Sequence, residues 1–305
     1  MKQIAVVGSL NLDFVMSVPK RPEAGETLLA KDLTLVPGGK GANQACTLGR
    51  LGAKTVMLGA VGADSYGDLL VSSLQQAGVE TGWLMRSSQP TGMAMIQVDP
   101  QGDNSILVVQ GANAQVDRAY IDRCLPVLEQ CDLVLFQLEI PLDTVCYAAQ
   151  KAKALGKTVI LDPAPAPSQP LDQLFPFVDL VKPNETELAA LTGTSLSDPP
   201  EQAAKLLKGC GIRQVVVTLG SKGALVLPES GSSQLIPAVE APVVDTTAAG
   251  DAFTAAMAIG ISQGARLEKA VEFANHVSSL VVSKKGAQSS IPSMEEVKSA
   301  FPFLF

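Results

Sequence analysis

Short runs of consecutive apolar, mostly β-branched residues recur along the chain at Ile4–Val7, Thr55–Leu58, Leu133–Phe136, Thr158–Leu161 and Gln214–Thr218. Continuous rather than alternating runs of this length predict strands buried on both faces. Between them lie stretches with helical spacing, Asp68–Ala77, Asp143–Ala154 and Glu201–Lys208, followed by glycines placed to end a helix (Gly78, Gly156 and Gly209). The alternation predicts an α/β fold with a central, mostly parallel sheet flanked by helices.

Two segments depart from that rhythm. Residues 14–37 read as strand–turn–strand, with Pro19, Pro22 and Gly25 in the turn, and residues 91–109 read as a hairpin turning through Asp99–Asn104. Neither fits a βαβ unit, so both are assigned to a small inserted β-sheet that can serve as a lid. Pro163–Pro170 reads as a stiff loop after a strand, not as a domain linker. A length of 305 residues allows two domains, but an α/β chain of this size also forms one, and residues 1–305 are taken as a single domain.

Composition narrows the functions. Hydrophobic residues make up 47% and charged residues 17%, enough for a large core and against wholesale disorder. A formal charge of −7 opposes nucleic-acid binding, which needs clustered Lys and Arg. The single histidine, His276, excludes His-cluster zinc sites, and its helical neighbours give it no catalytic role. Cys46, Cys124, Cys131, Cys146 and Cys210 are odd in number and lack a CxxC pair, which predicts free thiols. Neither a signal peptide nor an apolar run long enough to span a membrane is present, so a soluble cytoplasmic protein is expected.

Two clusters carry chemistry. In Pro37-Gly38-Gly39-Lys40-Gly41-Ala42-Asn43, three glycines let backbone approach a ligand closely beside a lysine at a helix start. It is not a Walker A loop, because no Ser or Thr follows the lysine; Gly156-Lys157-Thr158 fails too, with Lys151 where the first glycine belongs. In Asp245-Thr246-Thr247-Ala248-Ala249-Gly250-Asp251, small residues precede a helical run over 252–263, so backbone amides near 248–251 can converge on an anion. A carboxylate there can take a proton from an attacking hydroxyl. It can equally be a helix-capping acid.

The two clusters, in this order, resemble the signatures of the ribokinase-like (PfkB) carbohydrate kinases, and the likeness extends from Gly8–Asp13 to Lys285–Ser290. The resemblance implies phosphoryl transfer from ATP, most plainly to O5 of D-ribose giving D-ribose 5-phosphate. Deoxyribose, fructose or a nucleoside as acceptor, or a non-catalytic sugar or nucleotide sensor, stay open as alternatives. By resemblance Asp251 is the general base and the amides of Ala248, Ala249 and Gly250 are its anion hole. Sugar contacts fall on Asn11, Asp13, Gly39, Lys40, Asn43, Glu139 and Asp251.

On the nucleotide side the resemblance points to Asn184 and Glu187, which would organise the Mg²⁺–phosphate region through water, and to Thr218, Gly220, Ser221, Gly223, Gly250 and Asn275. Asn184 with Glu187 also reads as an ordinary capping box, and Gly220–Gly223 as a hairpin turn. A potassium site is implied at Asp245, Thr247, Val281, Lys284, Gly286 and Ser290, although Asp245 can also cap a turn through Thr247. The resemblance further implies a homodimer formed through the lid.

Overall fold

The computed structural model describes residues 2–101 and 103–304. Its larger sheet contains β1 (Gln3–Val7), β4 (Lys54–Leu58), β9 (Leu133–Phe136), β10 (Thr158–Leu161), β11 (Leu180–Val181), β12 (Gln214–Thr218), β13 (Ala224–Leu227) and β14 (Gln234–Ile236). Their order is β14-β13-β12-β11-β10-β9-β1-β4. Pairing is parallel from β4 to β12 and antiparallel for β13 and β14 at one edge. All five apolar runs are strands, and the sheet is α/β and mostly parallel as the pattern predicts.

Alternate residues of each strand enter two separate cores. Ile4 and Val6 pack with helices α1 (Lys40–Arg50), α2 (Ser65–Gln76), α7 (Ala249–Ser262), α8 (Leu267–Val282) and α9 (Met294–Ala300). Ala5 and Val7 face the opposite layer, built on α3 (Arg118–Leu128), α4 (Leu142–Ala154), α5 (Glu185–Thr192) and α6 (Pro200–Gly209). A strand whose two faces are both covered gains nothing from polar positions, which is why the runs are uninterrupted.

The two irregular segments meet in a second sheet. Strands β2 (Asn11–Ser17), β3 (Asp32–Gly38), β7 (Gly92–Val98) and β8 (Asn104–Val109) lie in the order β3-β2-β7-β8. The parallel β2–β7 pair joins the segments in one small sheet, as expected, with a pairing and direction that only the fold supplies. A minor two-stranded sheet pairs β5 (Ala60–Gly62) with β6 (Met85–Ser87).

Helix boundaries differ in places from the sequence reading. Helix α6 runs through Gly209, and Gly211, at φ +96°, takes the left-handed position assigned to Gly209. Helix α7 begins at Ala249, so Ala249 and Gly250 belong to its first turn instead of preceding it. Helix α8 ends at Val282. His276 lies on α8, where Nδ1 meets the Glu272 carbonyl at 2.7 Å and the ring packs edge-on against Phe301 and Phe303.

Candidate active site

Successive parallel strands bring their C-terminal ends to one rim of the sheet, where open α/β folds place ligands. Ser9 lies just beyond β1, Glu139 beyond β9, Asp162 beyond β10, Lys182 beyond β11, and Thr218 closes β12. Helices α1 and α7, which pack on each other, open onto the same rim.

Lys40 starts α1, with Gly39 before it at φ +89°. A Cβ on Gly39 would lie 2.7 Å from the Asn11 amide nitrogen, and one on Gly41 would lie 2.6 Å from that of Ser9. The glycines of this cluster are thus required by the chain's own strands, packed directly beneath the helix start. Glu139 secures the junction: one carboxylate oxygen accepts from the Ser9 hydroxyl at 2.5 Å and from the Lys40 backbone N–H at 3.1 Å. Asn11, at the head of β2, accepts from Asn113 at 2.8 Å, while Asn113 also bonds the Leu10 backbone. Asn113 was not singled out in the sequence, because only the fold carries it to Asn11.

Asp251 sits in the first turn of α7 with 7% of its surface exposed. Asn43 Nδ2 donates to its Oδ2 at 2.9 Å. Burial pushes the Asp251 pKa up to about 6, reinforced by Asp162 and opposed by Lys40, Asn43 and Lys182. Asp13 is raised to about 7 by burial, Glu139 and Asp251, with Lys40 working against them. Burial disfavours the Lys40 ammonium, but Asp251, Asp162, Glu139 and Glu187 outweigh it and raise its pKa. The rim therefore gathers Lys40 and Lys182 with a group of carboxylates, of which Asp251 and Asp13 are raised toward neutrality.

The amides before Asp251 are less uniform than the sequence implied. Ala248 is the one non-glycine described residue with a positive φ, +61°, a left-handed conformation that costs energy and turns the chain into α7. The Ala249 N–H donates to the Thr246 carbonyl at 3.2 Å, so it braces the turn and does not point freely at a ligand. Gly250 and Asp251 hold first-turn positions, where an α-helix supplies no carbonyl acceptor.

On the nucleotide side, Asn184 caps α5 and forms a complete capping box with Glu187, with bonds of 2.8 and 2.9 Å. The Thr218 N–H donates to the Pro183 carbonyl at 3.0 Å, tying β12 to this turn. Gly220, Ser221 and Lys222 form one 3₁₀ turn, and Gly223 follows at φ +98° with the Ile236 carbonyl 2.1 Å from where a Cβ would stand. Asn275 is buried, and its Nδ2 already donates to the Ile236 and Pro237 carbonyls at 3.3 and 2.9 Å. Through these bonds it clasps the chain leaving β14.

Asp245 both caps its turn and reaches a second loop. One oxygen accepts from the Thr247 N–H (2.9 Å) and hydroxyl (2.6 Å); the other accepts from the Gly286 N–H at 2.9 Å. Partial burial raises its pKa, but these bonds outweigh that and hold it below the usual carboxylate range. The second loop also holds Lys284, whose N–H donates to the Val281 carbonyl at 3.1 Å, and the buried Ser290, which donates to the Ala287 carbonyl at 2.7 Å.

Two charged residues that sequence reasoning passed over lie among these groups: Asp162, 1% exposed, and Lys182, 4% exposed, paired at 3.1 Å. Their signal was present. Each ends an apolar strand with a charge and is followed by proline, in Leu161-Asp162-Pro163 and Val181-Lys182-Pro183.

Known proteins resemble the chain over nearly its whole length. A ribokinase of Haemophilus influenzae is 39% identical over 298 residues, covering 97% of both chains. A deoxyribokinase of Salmonella typhimurium is 37% identical over 297 residues, covering 96% of each. The Arabidopsis thaliana ribokinase solved with ribose and ATP superposes with a TM-score of 0.90 at 34% identity, over 98% of each chain. The model of the pfkB family of carbohydrate kinases matches residues 1–294, and the chain belongs to that family.

Proposed function

We propose that the chain is an ATP-dependent ribose kinase that transfers the γ-phosphoryl group to O5 of D-ribose. The observation that carries this reading is Asp251: a buried carboxylate at a helix start, oriented by Asn43, with its pKa near 6. Such a group is ionised at neutral pH yet basic enough to take the proton of a sugar hydroxyl as it attacks. Asn11, Asp13, Gly39, Lys40, Asn43 and Glu139 hold the sugar. Paired acceptors and donors suit vicinal hydroxyls, since an unpaired buried polar group costs about 1–3 kcal/mol. Lys40 and the amides at the start of α7 offset the charge on the transferring phosphoryl oxygens.

ATP lies over Asn184, Glu187, Thr218, Gly220, Ser221, Gly223 and Gly250, with Asn275 bracing the wall beside it. Magnesium fits this side chemically: the donors are oxygen-bearing, and the buried Glu187 carboxylate suits an ion that keeps most of its waters and shares ATP's phosphates. When bound, it would neutralise charge between those phosphates. Potassium fits where Asp245 and Thr247 meet the loop of Val281, Lys284, Gly286 and Ser290. The donors there are all oxygens with one carboxylate, and the Asp245–Gly286 bond already draws the loops together. An ion there would stiffen the turn that sets the Gly250 and Asp251 amides.

We assign residues 1–305 to one domain whose four-stranded sheet acts as the lid, excluding water when it closes. Leu33, Leu35, Ile106, Leu107, Val108 and Val109 are exposed on that sheet. Apolar side chains along its edge strands support lid-to-lid pairing in a homodimer. No described helix is long and apolar enough to cross a membrane; the free thiols and the use of ATP support a cytoplasmic setting.

The deciding experiment is ATP turnover with a panel of ribose, 2-deoxyribose, fructose and adenosine. Ribose is expected to give the highest kcat/KM. A site built to bond a hydroxyl discriminates strongly against the analogue lacking it, so preference for deoxyribose would shift the reading to that sugar. No turnover with any acceptor would leave a sensor.

A further inference from the structure

The Asp162–Lys182 pair is set by strand register. Leu161 of β10 stands opposite Val181 of β11, so the next residue of each strand emerges side by side at the rim. Asp162 Oδ2 accepts from Gln44 Nε2 and Thr254 Oγ1, both at 3.0 Å, and Gln44 is held in turn by Gln137 at 2.6 Å. Thr254 lies one turn along α7 and also bonds the Gly250 carbonyl at 3.0 Å. The Lys182 ammonium nitrogen stands 3.7 Å from where a Cβ on Gly250 would be. The cation is thus pressed against the first turn of α7, beside Asp251, by an anion anchored on three elements.

Stability alone is a poor reason for this pair. Desolvating two charges offsets most of their attraction, and neutral side chains of similar size commonly replace a buried pair at no loss. The place of the charge is what distinguishes it: it adds a full positive charge where helix amides already favour an anion.

We propose that Lys182 is a second phosphate-neutralising cation of the transfer site, set against Gly250 and held there by Asp162 as its positioning residue. Lys40 comes from the start of α1 and Lys182 from the end of β11, and both favour the charged form of Asp251 in the first turn of α7. The ligand is a phosphoryl oxygen of the nucleotide. The inference rests on the reading of the α7 start as the phosphoryl site.

The experiment compares Lys182→Met, Asp162→Asn, the double variant Asp162→Asn/Lys182→Met and Asp251→Asn. Each is assayed for kcat, both KM values, thermal unfolding and the pH profile of kcat/KM. Lys182→Met strands a buried carboxylate and is expected to lower Tm. The double variant, with no charge left unpaired, is expected to recover Tm while kcat stays down on the order of 10²-fold, with ribose KM within twofold.

The pH profile supplies a readout that packing alone would not move. Asp251 faces Lys40 and Asn43 of α1, Asp13 of β2, Asp162 after β10 and Lys182 after β11. Removing Lys182 is expected to move the acid limb up, and removing the charge of Asp162 to move it down. Loss of activity in Asp251→Asn together with a double variant that turns over within threefold of wild type would overturn the role of Lys182 alone. Full activity in both would overturn the site reading beneath it.

Discussion

Asn43 donates from Nδ2 to Oδ2 of Asp251 at 2.9 Å, joining the first turn of α1 to the first turn of α7. The bond settles which carboxylate oxygen is engaged and leaves the other to receive a proton. Asn43 is itself oriented: its Oδ1 faces the Gln288 amide at 3.4 Å, and Ser73 bonds Gln288 at 2.8 Å. A base on a helix start is thereby held by amides from two further elements.

Asp251→Asn preserves the size of the side chain and an oxygen for Asn43 while removing the base. Steady-state assays are expected to show kcat lower by at least ~10²-fold with a modest change in sugar KM. A variant within threefold of wild type would exclude Asp251 as the base.

The pH dependence follows from the same carboxylate. Its pKa is raised to about 6 and it acts only when deprotonated, so activity is expected to fall as pH drops through 6. Asn43 favours the charged form, so Asn43→Ala is expected to move this acid limb to higher pH. A limb that stays put in that variant would detach the profile from Asp251.

Potassium is expected to raise kcat several-fold over sodium or lithium at matched ionic strength. Asp245→Ala should abolish the response, because the Asp245 carboxylate joins the two loops. Equal rates in all three salts would remove the cation from the mechanism.

Oligomeric state tests the lid surface. Light scattering at micromolar concentration is expected to give a dimer, and the double change Ile106→Asp/Leu107→Asp, at residues 51% and 70% exposed, a monomer. Buried apolar area drives such association, and two carboxylates facing their own copies oppose it. A wild-type monomer would contradict lid pairing.

Periodicity and local chemistry determined the layered sheet, the positions of its buried strands, the irregular segments that build the second sheet, and both glycine-bearing clusters. Those features are written in neighbouring residues: a strand covered on both faces must be apolar throughout, and a helix start must offer its amides. Tertiary structure alone decided the rest. It joined β2 to β7 across the chain, turned the Ala249 amide to Thr246 and the Asn275 amide to β14, and seated Lys182 against Gly250 beside Asp162. Charge at the end of a strand is visible in a sequence. What that charge faces depends on which strand lies next to it and on the register between them, and both are set by packing among residues far apart in the chain.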